Sequence, residues 1–458
     1  MKNKLECLLI NPADDFSRYP YLGLCYLAGS LISSNISVQI LDSSALGLTN
    51  EAIIKHILDY RPRIIGISIM SMSLPSCYTL IKLIQNNYPE GVLVVGGAHI
   101  NADPEIVADM NVQYGFYGEC ETAFVKFCKA IIEGKDPHKI HGLILNQNGE
   151  VIKNLPAKID DINELAMPAY ELLPLDKYYS PSTSQKTISF ISSRGCPYNC
   201  IYCSKLQQMK YSSLSPGNVK NQIEILVNKF GMQWIEFVDE IFTLSKQRTI
   251  EICESIIKGK FNFNWGCQTR ADRIDEELVK IMQKAGCKKI GFGVESGVER
   301  VRFLDHKKIS NKQISDAIKL CHKYNIISVC SFIFGHPTET KAEMKETLNF
   351  SIKIGSDYNY YSKMMPIPNS ELFEIAKNTN KIPANIWRSY MLGEISHPIF
   401  YPDTVDQESM DRIYRWAWIR FYLSGRNIKQ KFKVILSPRM FIRSLKAFII
   451  LVSGKKYR

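Results

Sequence analysis

Two periods alternate along the first 145 residues. Apolar runs of strand length occur at Leu5–Asn11, Val38–Asp42, Ile64–Met70, Val92–Gly97 and Val112–Gly118. Between them, Tyr21–Ser34, Asn50–Tyr60, Pro75–Tyr88 and Glu121–Ile132 carry apolar residues at helical spacing. Continuous apolar strands separated by helices predict a parallel sheet covered on both faces, a doubly wound Rossmann-like α/β domain. Ligands of such sheets sit outside the carboxyl ends of the strands. Here those ends read Ser71–Ser73, Gly96–His99 and Gly118–Glu121.

Residues 146–186 hold four prolines and no clear period, and read as an irregular connector. A second alternation follows, with strand-like runs at Thr187–Ser193, Trp234–Glu240, Phe263–Thr269, Lys289–Ser296, Ile327–Gly335 and Tyr358–Pro366. Six βα units predict a partial (β/α)6 TIM-like barrel over 187–375. Residues 376–458 read as a helical, basic C-terminal segment that includes an aromatic-rich helix at Glu408–Gly425.

Composition changes this picture in three places. At 458 residues the chain is too long for one ordinary core, which fits the three segments. The net charge of +12 belongs to the tail: Arg412–Arg458 holds 13 Lys and Arg and no acid, leaving the rest near neutral. The body therefore gives no electrostatic argument for nucleic acid. The last apolar run, Ala447–Val452, is far short of the roughly 20 residues of a membrane span. A basic amphipathic helix making peripheral membrane contact, or a helical cover for the barrel, both fit the tail. Thirteen cysteines without regular pairing, after an N-terminus with no cleavable leader pattern, predict a reduced, cytoplasmic protein.

Three of those cysteines stand apart. Cys196, Cys200 and Cys203 form C-x-x-x-C-x-x-C just after a strand, with no fourth cysteine nearby. A structural zinc normally takes four ligands, so zinc requires a distant fourth such as Cys267 or Cys287. A redox C-x-x-C pair leaves Cys196 unexplained. An iron–sulfur cubane held by three thiolates keeps one iron open for a substrate.

"SSRGCPYNCIYCS" resembles the signature of the radical S-adenosylmethionine (SAM) superfamily. That resemblance, over about 185–370, implies a [4Fe-4S] cluster on Cys196, Cys200 and Cys203, with SAM on the open iron and a 5′-deoxyadenosyl radical as the product of its reductive cleavage. It implies adenine contact by Tyr202. Asp239 and Glu240 in "FVDEIFT" fall where the family meets the SAM amino group, and Arg270 in "TRADRI" can meet the SAM carboxylate. Glu295 and Ser296 in "GFGVESG" resemble its ribose or carboxylate contacts. "FIFGHPTET" and "MPIPNSELF" resemble the fifth- and sixth-strand motifs. Helix capping at Asp239 and Glu240 and a barrel salt bridge at Arg270 are the competing roles. Among the histidines, His336 at a strand end stands out.

The first domain is similar to that of the cobalamin-binding class, on "NPADDFSRYPYLGLCYLAGSL", "GISIMSMS", "VVGGAHINADPE" and "GFYGECET". This implies cobalamin near Ser71, Ser73, Gly96, Gly97 and Gly118, with His99 and Glu119 beside them. One departure matters. No His precedes His56, and the loop Asn11–Gly23 offers Asp14, Asp15, Arg18 and Tyr19, so no His of this loop lies under cobalt. By resemblance the chain is a cobalamin-dependent radical SAM methyltransferase acting on an unactivated carbon through methylcobalamin. A cyclase or rearrangement enzyme with the same cofactors is the alternative. A methylthiotransferase needs three further cluster cysteines that Cys7, Cys25, Cys77, Cys120 and Cys128 do not pattern as. The implied partners are a small-molecule or lipid-like substrate and an electron donor such as flavodoxin or ferredoxin.

Overall fold

A computed structural model describes residues 5–12, 20–180, 184–204 and 210–424. The loop residues 13–19 and the basic tail 425–458 lie outside the described residues, and with them the expectations placed there.

The first domain is built on a seven-stranded sheet of order β2-β1-β3-β4-β5-β6-β7. Its strands are β1 (Cys7–Asn11), β2 (Val38–Asp42), β3 (Ile64–Ser68), β4 (Val92–Gly96), β5 (Tyr114–Phe116), β6 (Leu143–Gln147) and β7 (Glu150–Lys153). The first five run parallel. The order reverses at β1, so loops after β1 and β3 part there and leave a crevice at the carboxyl edge. The helices Leu22–Ser33, Asn50–Tyr60, Leu74–Asn87 and Glu121–Glu133 fall within a residue or so of their expected positions.

The connector needs correction at its start. A domain end at 145 cuts through β6, which pairs antiparallel with β5 and with β7. Asn148 (φ 54°) and Gly149 (φ 95°) form the two-residue turn between them. Two consecutive positive-φ residues match the twist of a tight hairpin, and Asn-Gly is its strongest signal. The connector proper also packs: Ala157, Ile162, Ala169, Tyr170 and Tyr178 are buried in the cluster shared by the first sheet and the barrel.

The barrel is a six-stranded parallel sheet of order β15-β14-β13-β12-β11-β8, so β8 and β15 are its edges. The strands are β8 (Thr187–Phe190), β11 (Trp234–Phe237), β12 (Asn264–Thr269), β13 (Cys287–Glu295), β14 (Ile327–Phe334) and β15 (Tyr358–Lys363). Between β8 and β11 lies a two-residue ladder, β9 (Ser193–Arg194) with β10 (Ser212–Ser213). The segment after β15 turns back over the first domain: Trp387 packs against His99, and the Tyr390 hydroxyl donates to the Met72 carbonyl at 2.9 Å. The helix Gln407–Leu423 then closes against β15.

Candidate functional site

The cysteine loop is an excursion between β9 and β10, pinned at its base. The buried Asp239 carboxylate, just past β11, accepts from the Ser192 amide (2.7 Å) and from the Ser192 and Ser193 hydroxyls (2.6 Å each). Burial pushes this carboxyl above its usual range against those three bonds. The following helix is capped by Ser245, so neither Asp239 nor Glu240 is its cap. Arg248 donates to the Ser192 carbonyl (2.7 Å) and the Leu214 carbonyl (3.0 Å), bridging both sides of the loop base. Asn163 of the connector holds the exit, donating to Ser213 and accepting from the Ser215 amide.

Further out, the loop is fastened to strand ends. Tyr198 lies under the Arg270 guanidinium at 3.7 Å from the ring centre, and its hydroxyl accepts from Arg273 at 2.7 Å. Arg270 is also paired with Asp272 at 3.0 Å. The Ile201 carbonyl accepts from the Leu372 amide at 2.8 Å, and the Ile201 amide reaches the Asp305 carbonyl at 3.4 Å. Glu240 is exposed at the mouth, and its charge reaches Cys196 and Cys203.

The three thiols are half-buried and share one electrostatic neighbourhood. Burial raises the Cys203 thiol to about 12, with Cys200 and Cys196 adding to the rise. Mutual repulsion of this kind is relieved by binding cationic iron. Among the described residues no three His, Cys, Asp or Glu side chains converge on a single ion. Three neighbouring thiols on one loop are a donor set that fits a cluster with one iron left open. Cys267 and Cys287, the distant zinc candidates, are free thiols, fully buried and hydrogen-bonded to each other in the core.

Residues at the β13 end divide in two. Ser296 is fully buried, with its hydroxyl on Thr347 (2.9 Å) and the Val298 amide (3.1 Å), so it supports the turn from behind. Glu295, at φ 67°, pairs with Lys307 at 2.7 Å, both nearly buried. Lys307 also reaches Cys203 electrostatically. Nothing in the run "DHKKIS" marks it as anything but a solvated loop. His336 is fully buried beside Asp305, Nδ1 to carboxylate 2.6 Å, while its Nε2 meets the Ile333 carbonyl at 3.0 Å. It therefore faces inward, not into the mouth.

At the carboxyl edge of the first sheet, Ser71 is hydrogen-bonded to His99 Nδ1 at 3.0 Å. Burial lowers His99 to about 3, so it is a neutral imidazole. Ser73 is buried and turned inward, toward Met70 and Cys77. Gly97 has φ 100°, and a Cβ there would stand 2.7 Å from the Ile69 nitrogen and 2.8 Å from its oxygen. Gly96, by contrast, has room for a Cβ. Gly118 abuts the connector, where a Cβ would collide with the Ala157 carbonyl. Glu119 and Glu121 both pair with Arg194. At this edge three buried polar atoms, Asn11 Oδ1, Ser43 Oγ and His99 Nε2, have no hydrogen-bond partner among the described residues. Such atoms are costly unless a ligand meets them. A ligand as rich in amides and hydroxyls as cobalamin fits them.

Two family models match in the same order as the two sheets: the B12 binding domain over residues 15–127 and the Radical SAM superfamily over 190–351. An uncharacterized methyltransferase of Pyrococcus horikoshii is 32% identical over 414 residues, 88% of each chain. An anaerobic magnesium-protoporphyrin IX monomethyl ester cyclase of Rubrivivax gelatinosus is 25% identical over 465 residues, 97% of this chain and 82% of the relative. The structure of the cobalamin-dependent S-adenosylmethionine radical enzyme OxsB with aqua-cobalamin bound shares the fold, with TM-score 0.75 over 97% of this chain and 72% of that one at 19% identity. The chain belongs to the radical SAM superfamily, in the branch that carries a B12-binding domain ahead of the barrel. It is a cobalamin-dependent radical SAM enzyme, with a [4Fe-4S] cluster, SAM and cobalamin as its cofactors.

Proposed function

We propose that the chain transfers a methyl group from SAM to an unactivated carbon of a small-molecule or lipid-like substrate, with an external one-electron donor such as a flavodoxin or ferredoxin. When bound, the cluster and SAM supply a 5′-deoxyadenosyl radical that removes a hydrogen atom, and cobalamin supplies the methyl group. The observation that supports this most is Tyr202. It lies between Cys200 and Cys203 and packs in one apolar cluster with Ile69 and Ile100 of the first domain's ligand edge. The cysteine loop and the first domain's ligand edge thus pack against one apolar cluster. The Pyrococcus methyltransferase, similar over nearly the whole chain, points the same way.

In this reading Cys196, Cys200 and Cys203 hold the cluster. Glu240, Arg270 and Glu295 face SAM, and Tyr202 lies against its adenine. Asp239 holds the loop, and Ser296 backs the turn. Ser71, Gly96 and Gly97 border cobalamin, with Asn11, Ser43 and His99 as polar contacts. Ser73 and Gly118 shape that edge from behind. No helix among the described residues is long and apolar enough to cross a membrane. We place the enzyme in the cytoplasm, with the basic tail available for a membrane surface.

Ring formation without methyl transfer is the second reading, favoured by the near full-length similarity to the Rubrivivax cyclase. Anaerobic reconstitution with iron, sulfide and hydroxocobalamin, then SAM and reductant, separates the two. Methyl transfer releases S-adenosylhomocysteine beside deoxyadenosine; a cyclase releases deoxyadenosine alone. A Cys200→Ala chain that still assembled the cluster and cleaved SAM would overturn both.

A further inference from the structure

We infer that Arg194 is a positioning residue that sets the cobalamin domain against the cysteine loop. This rests on the function proposed above. Arg194 stands two residues before Cys196, on β9, where the loop leaves the sheet. Its backbone belongs to the loop base, opposite Ser212. Its guanidinium belongs to the other domain. One nitrogen lies 2.6 Å from a Glu121 oxygen, and a second lies 3.3 Å from a Glu119 oxygen. The group stacks over the Tyr26 ring at 4.8 Å. Arg194, Glu119 and Glu121 side chains are all less than one-fifth exposed.

Each partner is itself anchored. Glu121 opens the helix Glu121–Glu133, where the positive end of the helix dipole favours a carboxylate. The other Glu119 oxygen accepts from the Ile159 amide of the connector at 3.1 Å. The Tyr26 hydroxyl reaches back to the Ile191 carbonyl beside β8, at 3.5 Å. One guanidinium therefore joins the cluster loop to the β5 loop, to the first-domain helices and, through Glu119, to the connector. An arginine is the side chain whose planar fork can meet two carboxylates and a ring face together.

A buried ion pair of this kind is weak evidence of added stability, because desolvation offsets much of the attraction. What it fixes is geometry. Chemistry confined to the barrel, SAM cleavage, needs the loop alone. Chemistry that uses both cofactors also needs the distance between domains, and there a shift of about 1 Å costs on the order of a hundredfold.

The test uses the full chain reconstituted with cluster and hydroxocobalamin, as wild type, Glu121→Gln and Glu121→Asp. Reduction to cob(II)alamin and to the reduced cluster lets their magnetic interaction be read by electron paramagnetic resonance. The wild type is expected to give one defined interaction, Glu121→Gln a broadened one, and Glu121→Asp a return toward wild type. With SAM, S-adenosylhomocysteine per deoxyadenosine falls about tenfold or more in Glu121→Gln, while deoxyadenosine stays within about twofold. Amide exchange of the cofactor-free chain adds a third readout: peptides holding Ser192–Arg194 and Gly118–Glu121 exchange faster together. An unchanged interaction in Glu121→Gln overturns the inference. So does joint loss of cluster and deoxyadenosine, which makes the contact a folding element of the loop. If wild type releases no S-adenosylhomocysteine, methyl transfer is what fails, and the magnetic and exchange data still decide the role of Arg194.

Discussion

The Asp239 carboxylate takes both the amide and the hydroxyl of Ser192, at 2.7 and 2.6 Å, and so grips the chain four residues before the first cluster cysteine. Replacing Asp239 with Ala leaves three buried donors unmet, each worth about 1–3 kcal/mol. We expect Asp239→Ala to lower iron and sulfide loading severely, and Asp239→Asn to lower it less. Iron content and the cluster's visible absorbance after reconstitution measure this. Full loading with only a raised KM for SAM would instead make Asp239 a SAM contact.

Gly97 and Gly118, both at the carboxyl edge of the first sheet, separate on their surroundings. A Cβ at Gly97 meets the β3 loop that borders the crevice, while one at Gly118 meets the connector at Ala157. Both backbones sit at positive φ, where Ala is strained. Gly97→Ala is expected to weaken hydroxocobalamin binding about tenfold or more, as the crevice loops part. Gly118→Ala should lower stability by about 1–3 kcal/mol with cobalamin affinity intact. Titration with hydroxocobalamin and urea unfolding of the apo chain distinguish them. Equal losses of affinity in both variants would return Gly118 to the cobalamin site.

How much of this was legible follows from how local each signal is. The strands of both sheets are apolar runs, and the C-x-x-x-C-x-x-C loop is a spacing, so both stand in the sequence. The β6–β7 hairpin was also written there, in Asn148–Gly149, but within a proline-rich stretch that read as irregular. The tethers of the loop were not legible. Asp239, Arg248 and Asn163 reach it from at least 34 residues away along the chain, and nothing in their own neighbourhoods announces the partner. Arg194 was visible beside the first cysteine, but its direction was not. Lys307 sits in a polar run and is buried because Glu295 draws it inward.

His336 supplies a pH dependence. Burial alone would lower its pKa, but the Asp305 carboxylate beside it, with Glu339 and Glu295 beyond, raises it from 6.5 to about 9. A folded pKa above the unfolded one gives stability that is fully present below about pH 6.5 and lost as pH rises through about 9. The contribution is on the order of 3 kcal/mol at most. Urea midpoints at intervals across that window should therefore fall in the wild type and fall less in His336→Gln. The same slope in both would remove His336 as the cause.

The Glu295–Lys307 pair makes the sharpest distinction between architecture and chemistry. The two groups meet above Gly293, where a Cβ would lie 2.5 Å from the carboxylate and 2.7 Å from the ammonium, so the pair needs the bare strand beneath it. Lys307→Met leaves Glu295 as an uncompensated buried charge, and we expect a loss of about 3–5 kcal/mol. Adding Glu295→Gln removes that charge, so the double variant should recover most of the stability. If Glu295 also meets SAM, the double variant will not recover SAM use: deoxyadenosine formation will still need far higher SAM concentrations to saturate. Urea unfolding of the apo chain and the SAM dependence of deoxyadenosine release, taken on the wild type and the same two variants, give the two answers separately. Full recovery of both would confine the pair to holding the loop after β13.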